Sequence, residues 1–299
     1  MRIVSLVPNA TEILFAIGAG DDVVGVSHEC DYPPEARTRP ILTGSALAPG
    51  MTPKEIDTAV SAQLASGASL YTLDEKRLAE LDPDLLFTQE LCPVCAVSTT
   101  QVSGAVAPLA RATRCPEVLS LDPTRLEDVL ADILHVGERL GRSAAAEALV
   151  DELRARLERV ERATHGRPRP TVVALEWLDP PFLGGHWVPQ MIAIAGGRDP
   201  FAVAPGERSR RATWEEIAAA DPDWIVAMPC GFDAAGAAAE VAKLTGNPLW
   251  EGLRAVQTGR VAAVDANGCF SRPGPRLVDG IEELHRLFTA GAPATTSSH

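Results

Sequence analysis

Short apolar runs and amphipathic stretches alternate along the 299 residues. Runs over 2–7, 23–27, 85–89 and 118–121 in the first half have strand length, as do 171–177, 224–229 and 261–265 in the second. Helical patterns lie between them. Asn9-Ala10-Thr11-Glu12 starts one whose apolar positions Ile13, Leu14 and Ile17 end at Gly18; Met191, Ile192 and Ile194 mark its counterpart before Gly196-Gly197. In each half a helix runs into a strand through Asp-Pro-Asp, at 82–84 and 221–223, where proline stops the helix. Strands alternating with helices predict parallel sheets flanked by helices, and the repeated plan predicts two α/β lobes.

Between the halves the period stays helical. Residues 124–140 carry Leu126, Val129, Leu130, Ile133, Leu134 and Val136 on one side, and Gly141 interrupts them. Ser143 then caps a helix running to about residue 164, roughly 30 Å long at 1.5 Å per residue. Gly166-Arg167-Pro168-Arg169-Pro170 breaks it. The expected organisation is an N-terminal α/β lobe over 1–122, a helical linker with one long backbone helix over 123–166, a C-terminal α/β lobe over 167–289 and a disordered tail over 290–299. A single stiff helix between lobes predicts a small closing motion.

Charge narrows the class of partner. A formal net charge of −13 sets nucleic acid aside, because phosphate binding needs basic patches that release counterions. No apolar run approaches the roughly 20 residues that span a bilayer. The chain opens on a strand, and Pro8 and Asn9 cut its apolar run too short for a secretory leader. A cytoplasmic location is expected for the chain as it stands, periplasmic or extracellular if a leader was removed. Six cysteines, most at loop positions, suit a reducing compartment.

In an open α/β sheet, ligands bind beyond the carboxyl ends of the strands. His28, Cys30, Cys92, Cys95, His186 and Cys230 all follow strand-like runs. They are the candidate metal ligands, for zinc or iron or for the metal of a bound cofactor, since zinc accepts both thiolate and imidazole. Cys92-Pro93-Val94-Cys95 taken alone also fits a redox dithiol or a tight turn. His28 and Cys30, two apart on an extended backbone, would share a side. Cys115, before Pro116, reads as structural, and Cys269 follows the run at 261–265. The same loops carry Tyr32, Trp177, Phe182, Trp187, Phe232 and Phe270, rings suited to a flat apolar ligand. Arg272, at the opening of the last helix, is a candidate for a carboxylate, amide or phosphate contact. Phosphate-loop spacings, a G-x-S-x-G elbow and H-E-x-x-H are absent, so no catalytic residue is assigned.

The order of motifs carries a resemblance. Ser5-Leu-Val-Pro-Asn-Ala-Thr-Glu-Ile-Leu-Phe-Ala-Ile-Gly18, then Asp22-Val-Val-Gly-Val-Ser27, resembles the opening of helical-backbone (class III) substrate-binding proteins of ABC transporters, closest to the cobalamin-binding branch. Pro83-Asp84-Leu85-Leu86, Leu140-Gly141, Ala195-Gly196-Gly197, Pro222-Asp223 and Arg272-Pro-Gly-Pro-Arg276 continue it over about residues 2–288. The loops at 28–32, 92–95, 177–187 and 230–232 resemble a leaderless subgroup of that branch. The resemblance implies two lobes holding a small-molecule ligand in an interlobe cleft and docking on a membrane permease. It further implies a corrinoid of the cobalamin type, although relatives carry haem, iron-siderophore complexes and metal ions. The competing expectation is a cytosolic metal-dependent or thiol-dependent enzyme, or metal-handling protein, that reuses the fold with a Cys/His site.

Overall fold

A computed structural model describes residues 1–47, 51–66, 69–90, 104 and 116–290. The chain forms two compact units, Met1–Pro123 with Val129–Val150, and Thr124–Asp128 with Asp151–His299.

The first unit holds strands β1 (Ile3–Ser5), β2 (Val23–Val26), β5 (Leu85–Thr88) and β6 (Glu117–Ser120) in one parallel sheet of order β2-β1-β5-β6. A parallel sheet is covered on both faces and needs near-continuous apolar strands. Accordingly Ile3, Val4, Leu85, Leu86 and Phe87 are fully buried. Helix α1 (Pro8–Ala16) starts directly after β1, with proline at the first helical position, where a missing N–H costs nothing. That early start limits β1 to three paired residues of the expected 2–7, although Leu6 N still donates to Phe87 O at 2.9 Å. An antiparallel pair unread from the sequence, β3 (Thr43–Ser45) with β4 (Tyr71–Leu73), lies apart from the main sheet, with helices α2 (Pro53–Ser66) and α3 (Glu75–Leu81) in the same unit. Strands of three residues, one of them centred on Gly44, are too short to show a period.

Helices α4 (Leu126–Arg139) and α5 (Ser143–Thr164) follow, and the change of unit falls inside each of them. Helix α5 buries Ala146, Val150, Leu153, Leu157 and Val160 along one stripe.

The second unit carries β7 (Val172–Leu178), β8 (Pro181–Leu183), β9 (Arg210–Arg211), β10 (Trp224–Ala227) and β11 (Val261–Ala263) in the order β11-β10-β7-β8-β9. The first three are parallel to one another; β8 and β9 run antiparallel. The segment around Pro180-Pro181 reads as a loop from sequence, yet Pro181 opens a strand, a position proline tolerates. The longer helices of the unit are α6 (Val188–Ile194), α7 (Trp214–Ala220), α8 (Ala234–Ala242) and α9 (Leu277–Ala290), with short helical turns at Pro248–Glu251, Arg254–Gln257 and Ala266–Cys269. Its core gathers Val173, Leu175, Leu183, Ile217, Ile225 and Trp250.

The Asp-Pro-Asp repeats do the same work in both units. Asp82 and Asp221 end α3 and α7 in the left-handed conformation, at φ 40° and 37°. The second aspartate then ties down the start of the unit's first strand. Asp84 Oδ2 accepts from Arg2 N at 2.9 Å, and Asp223 Oδ2 accepts from Thr171 N at 2.8 Å.

Candidate functional site

In the first unit the carboxyl edge begins with Ser5 and the α1 N-terminus. Thr11 Oγ1 lies 2.8 Å from Ser5 Oγ and 3.0 Å from Cys30 Sγ. Cys30 is only 4% exposed, with its sulfur also facing Ser5 O at 3.8 Å. His28 goes elsewhere. Its Nδ1 is 2.7 Å from Thr43 Oγ1, and its ring centroid lies 5.7 Å from that of Tyr71. The expected sharing of a side by His28 and Cys30 is therefore wrong. A turn closed by Cys30 N on Ser27 O, at 3.1 Å, replaces the extended backbone on which that spacing argument rested. Tyr32 is exposed, ahead of Pro33. Cys92, Cys95 and Cys115 lie outside the described residues. Among the described residues, no three His, Cys, Asp or Glu side chains gather to hold a metal ion.

The carboxyl edge of the second unit is organised by Glu176. The β7–β8 register shifts between Leu175 and Trp177, and such a bulge re-aims a side chain. Glu176 Oε1 accepts from Gly185 N at 3.2 Å, and Oε2 accepts from Ser209 Oγ. Its carbonyl accepts from Cys230 N at 3.2 Å. One residue thus joins the loops at 184–187, 204–209 and 229–232. The first two are also locked backbone to backbone, His186 N to Glu207 O at 2.5 Å and Gly206 N to His186 O at 2.9 Å.

His186 adopts a positive φ of 51°. Its Nε2 is buried and has no hydrogen-bond partner. Burial first, and then the nearby Arg208 charge, push its pKa below the usual imidazole value. The ring is therefore neutral at neutral pH, the form that ligates metals.

Aromatic rings form a row beside this cluster. Trp177 pairs with Phe182 across the β7–β8 ladder, which puts both on one face. The Trp177 and Phe232 rings meet edge to face at 6.1 Å, and the Arg211 guanidinium lies 5.3 Å over Phe182. Trp177, Phe182 and Phe232 are all half-buried.

Trp187 and Phe270 behave otherwise. Trp187 is 6% and Phe270 2% exposed, and Trp187 Nε1 donates to Phe270 O at 2.7 Å. Neither ring lies open at the edge; together they pin the start of α6 to the loop after β11. Arg272 is buried too. Cys230 is exposed, its sulfur accepting from Ser271 Oγ at 3.5 Å. Cys269 is half-buried, its thiol pushed up to about 12 by burial and then by the Asp265 charge.

Sequence reasoning missed Glu176, Ser209, Arg208 and Arg211. Signals for three of them exist: Glu176 is the single charge in Val-Val-Ala-Leu-Glu-Trp-Leu, and Arg208 and Arg211 belong to a basic run in an acidic chain.

Comparison with known proteins gives a consistent result. A "Vitamin B12-binding protein" of Vibrio cholerae is 24% identical over 95% of this chain and 87% of its own length. A "Cobalamin-binding protein" of Halobacterium salinarum is 26% identical over 96% of this chain and 69% of its own. The solved apo structure of a periplasmic heme-binding protein from Roseiflexus sp. superposes with a TM-score of 0.71 at 23% identity, over 97% of this chain and 98% of that one. The family model described as periplasmic binding protein matches residues 3–267. That match spans both units and most of the chain, which therefore belongs to the periplasmic binding protein family.

Proposed function

We propose that the chain is a substrate-binding protein for a flat, metal-bearing macrocycle, with a corrinoid of the cobalamin type as the first choice of ligand. The observation that carries this is the row Phe232–Trp177–Phe182 beside the neutral His186 on one strand edge. Rings held by a sheet ladder present a rigid apolar wall, and an imidazole without an internal partner is suited to the ligand's metal. Relatives named for vitamin B12, cobalamin and heme support the ligand class. Haem is the second reading, favoured by the same rings and imidazole. Relatives named as ABC transporter substrate-binding proteins support delivery to an ABC permease as part of this reading. A thiol-dependent enzyme is not favoured, since Cys30 is buried beneath α1 and the Cys269 thiol stays protonated.

The test is a titration of apo protein with hydroxocobalamin, cyanocobalamin and hemin, followed by absorption and calorimetry. Saturable cobalamin binding is expected. Trp177→Ala should weaken it by roughly ten- to a hundredfold, the size of a lost aromatic stacking contact of about 1–3 kcal/mol. Binding of none of the three, or affinity indifferent to Trp177, refutes the assignment.

A further inference from the structure

We propose a second ligand site in the second unit, at the sheet edge opposite the aromatic row, built for a small anion that carries a flat ring: an aryl carboxylate or aryl phosphate. A cavity of about 440 Å³ lies there, within the range of small-molecule sites. It sits at the amino ends of β7, β10 and β11, because Pro170, Asp223 and Arg260 immediately precede or open the approach to those strands.

Three guanidiniums, from Arg167, Arg169 and Arg260, line this cavity against one carboxylate, Asp223. The local sign is thus reversed in a chain whose net charge is −13. Asp223 offsets only part of this charge: it feels Arg260 through space, yet its oxygens are engaged by other groups. Oδ2 accepts from Thr171 N and Oγ1 at 2.8 Å each, and Oδ1 pairs with Arg254 at 3.1 Å. The carboxyl ends of α5, α6 and α9 also reach the cavity, through Thr164, Ala195 and Thr289. Their carbonyl dipoles offset part of the positive charge. Arg169 answers one of them directly, donating to Ala193 O at 2.6 Å.

Two guanidiniums remain. Arg260 Nε is buried with no hydrogen-bond partner, a costly state for a donor unless something comes to accept from it. Arg167 has no side-chain partner among the described residues and stands exposed at the mouth. Carboxylate and phosphate are the groups whose oxygens match a guanidinium fork. The Thr164 and Thr289 hydroxyls donate to carbonyls of their own helices. The half-buried Phe288, its ring 6.2 Å from that of the buried Trp224, and the stiff Pro168 and Pro170 offer a surface for a ring but no donor for an anion. A bare ion would leave that surface wet; an aryl group would cover it.

The proposal is independent of the macrocycle reading, since the two sites lie at opposite ends of the strands. It is tested on the full chain by calorimetric titration with phenyl phosphate, inorganic phosphate and phenol, with backbone amide shifts followed by NMR. Saturable binding of phenyl phosphate is expected, with shifts at residues 166, 167, 169, 196 and 289. Inorganic phosphate should bind roughly tenfold more weakly, and phenol not measurably, if ring and charge both contribute. Arg167→Gln, at an exposed position, and Arg260→Gln should each reduce affinity by roughly tenfold, the effect of losing one charge-assisted contact. Cobalamin titrations should be unchanged in both variants. Absence of saturable phenyl phosphate binding overturns the proposal. So does binding indifferent to both substitutions, or shifts confined to other parts of the unit.

Discussion

Gly185→Ala tests whether the edge of the second unit is a built site or a loose set of loops. A Cβ at residue 185 would lie 2.2 Å from Ser209 N, 2.5 Å from Arg208 C and 2.7 Å from Glu207 O. All three are backbone atoms, so no side chain can rotate away; the loops at 184–187 and 204–209 must separate. Two hydrogen bonds join these loops, His186 N to Glu207 O and Gly206 N to His186 O, and a third, Gly185 N to Glu176 Oε1, starts from the substituted residue itself. At about 1 kcal/mol each, their loss amounts to about 3 kcal/mol of local stability. Hydrogen exchange in peptides covering 184–188 and 204–209 reads that quantity directly, and protection should fall by on the order of a hundredfold. Gly231→Ala is the matched control. It has a φ of +84° and open space around its Cβ, so only backbone strain of about 1–2 kcal/mol is expected, with no change at 204–209. If Gly185→Ala leaves both peptides as protected as in the wild type, the two loops do not hold each other and His186 is not preorganised.

Two further outcomes follow from single groups. The depressed pKa of His186 means that the unfolded chain takes up a proton near the ordinary imidazole value of 6.5 while the folded chain resists it. Stability should therefore decline as pH falls below that value, and His186→Gln should flatten the dependence of the thermal midpoint between about pH 5 and 7. Asp223 works in the same sense, lower on the pH scale. Burial alone would raise its pKa, but hydrogen bonds from Thr171 and the charges of Arg254 and Arg260 hold it below 3.8. Its contribution is present above that value and lost as pH falls through the lowered one. Asp223→Ala should remove about 2–4 kcal/mol at neutral pH in denaturant unfolding, through the Thr171 bonds; a loss under about 0.5 kcal/mol refutes the anchoring role.

Period and punctuation were enough to read the frame. Ser143 and Gly166 bracket α5, and of its apolar positions Leu153, Leu157 and Val160 lie on the buried stripe, whereas Ala145 and Ala148 in the first turns face out and Ala146 and Val150 are buried instead. The Asp-Pro-Asp repeats are legible because proline and a left-handed aspartate act locally. The site was legible in its residue types and not in its side-chain directions. Cys30 turns inward because three residues of turn destroy a two-residue alternation, and no local rule says where such a turn closes. Trp187 and Phe270 read as ligand walls because they follow strands, yet their bond to each other joins positions far apart in the chain. Glu176 is legible as a lone charge in an apolar strand, yet its partners are not, for the same reason. Its acceptors are filled from Gly185 and Ser209, and nothing in a strand sequence announces those partners.

The two sheets also explain why the aromatic row belongs to one unit alone. The order β1-β5-β6 in the first unit corresponds to β7-β10-β11 in the second, each opening on the unit's first strand and passing to the one that follows Asp-Pro-Asp. The units differ at the other flank of the first strand. In the first, α1 carries the chain over to β2, which pairs parallel to β1. In the second, the chain turns back at Asp179-Pro180 and lays β8 antiparallel against β7. A parallel crossover hands each strand end to a helix, as β1 does to α1 through Pro8. A hairpin instead leaves two strands side by side at the carboxyl edge, and cross-strand pairing sets their rings on one face. Trp177 and Phe182 are neighbours for that reason, and β9 extends the same ladder to bring Arg211 over Phe182. An insertion that lengthened the Asp179–Pro180 turn by one residue would slip this register and turn Phe182 to the opposite face. Cobalamin affinity should then fall at least as far as in Trp177→Ala while the β7–β10–β11 amides keep their exchange protection. Undiminished affinity in that variant would show that the hairpin does not present the ligand wall.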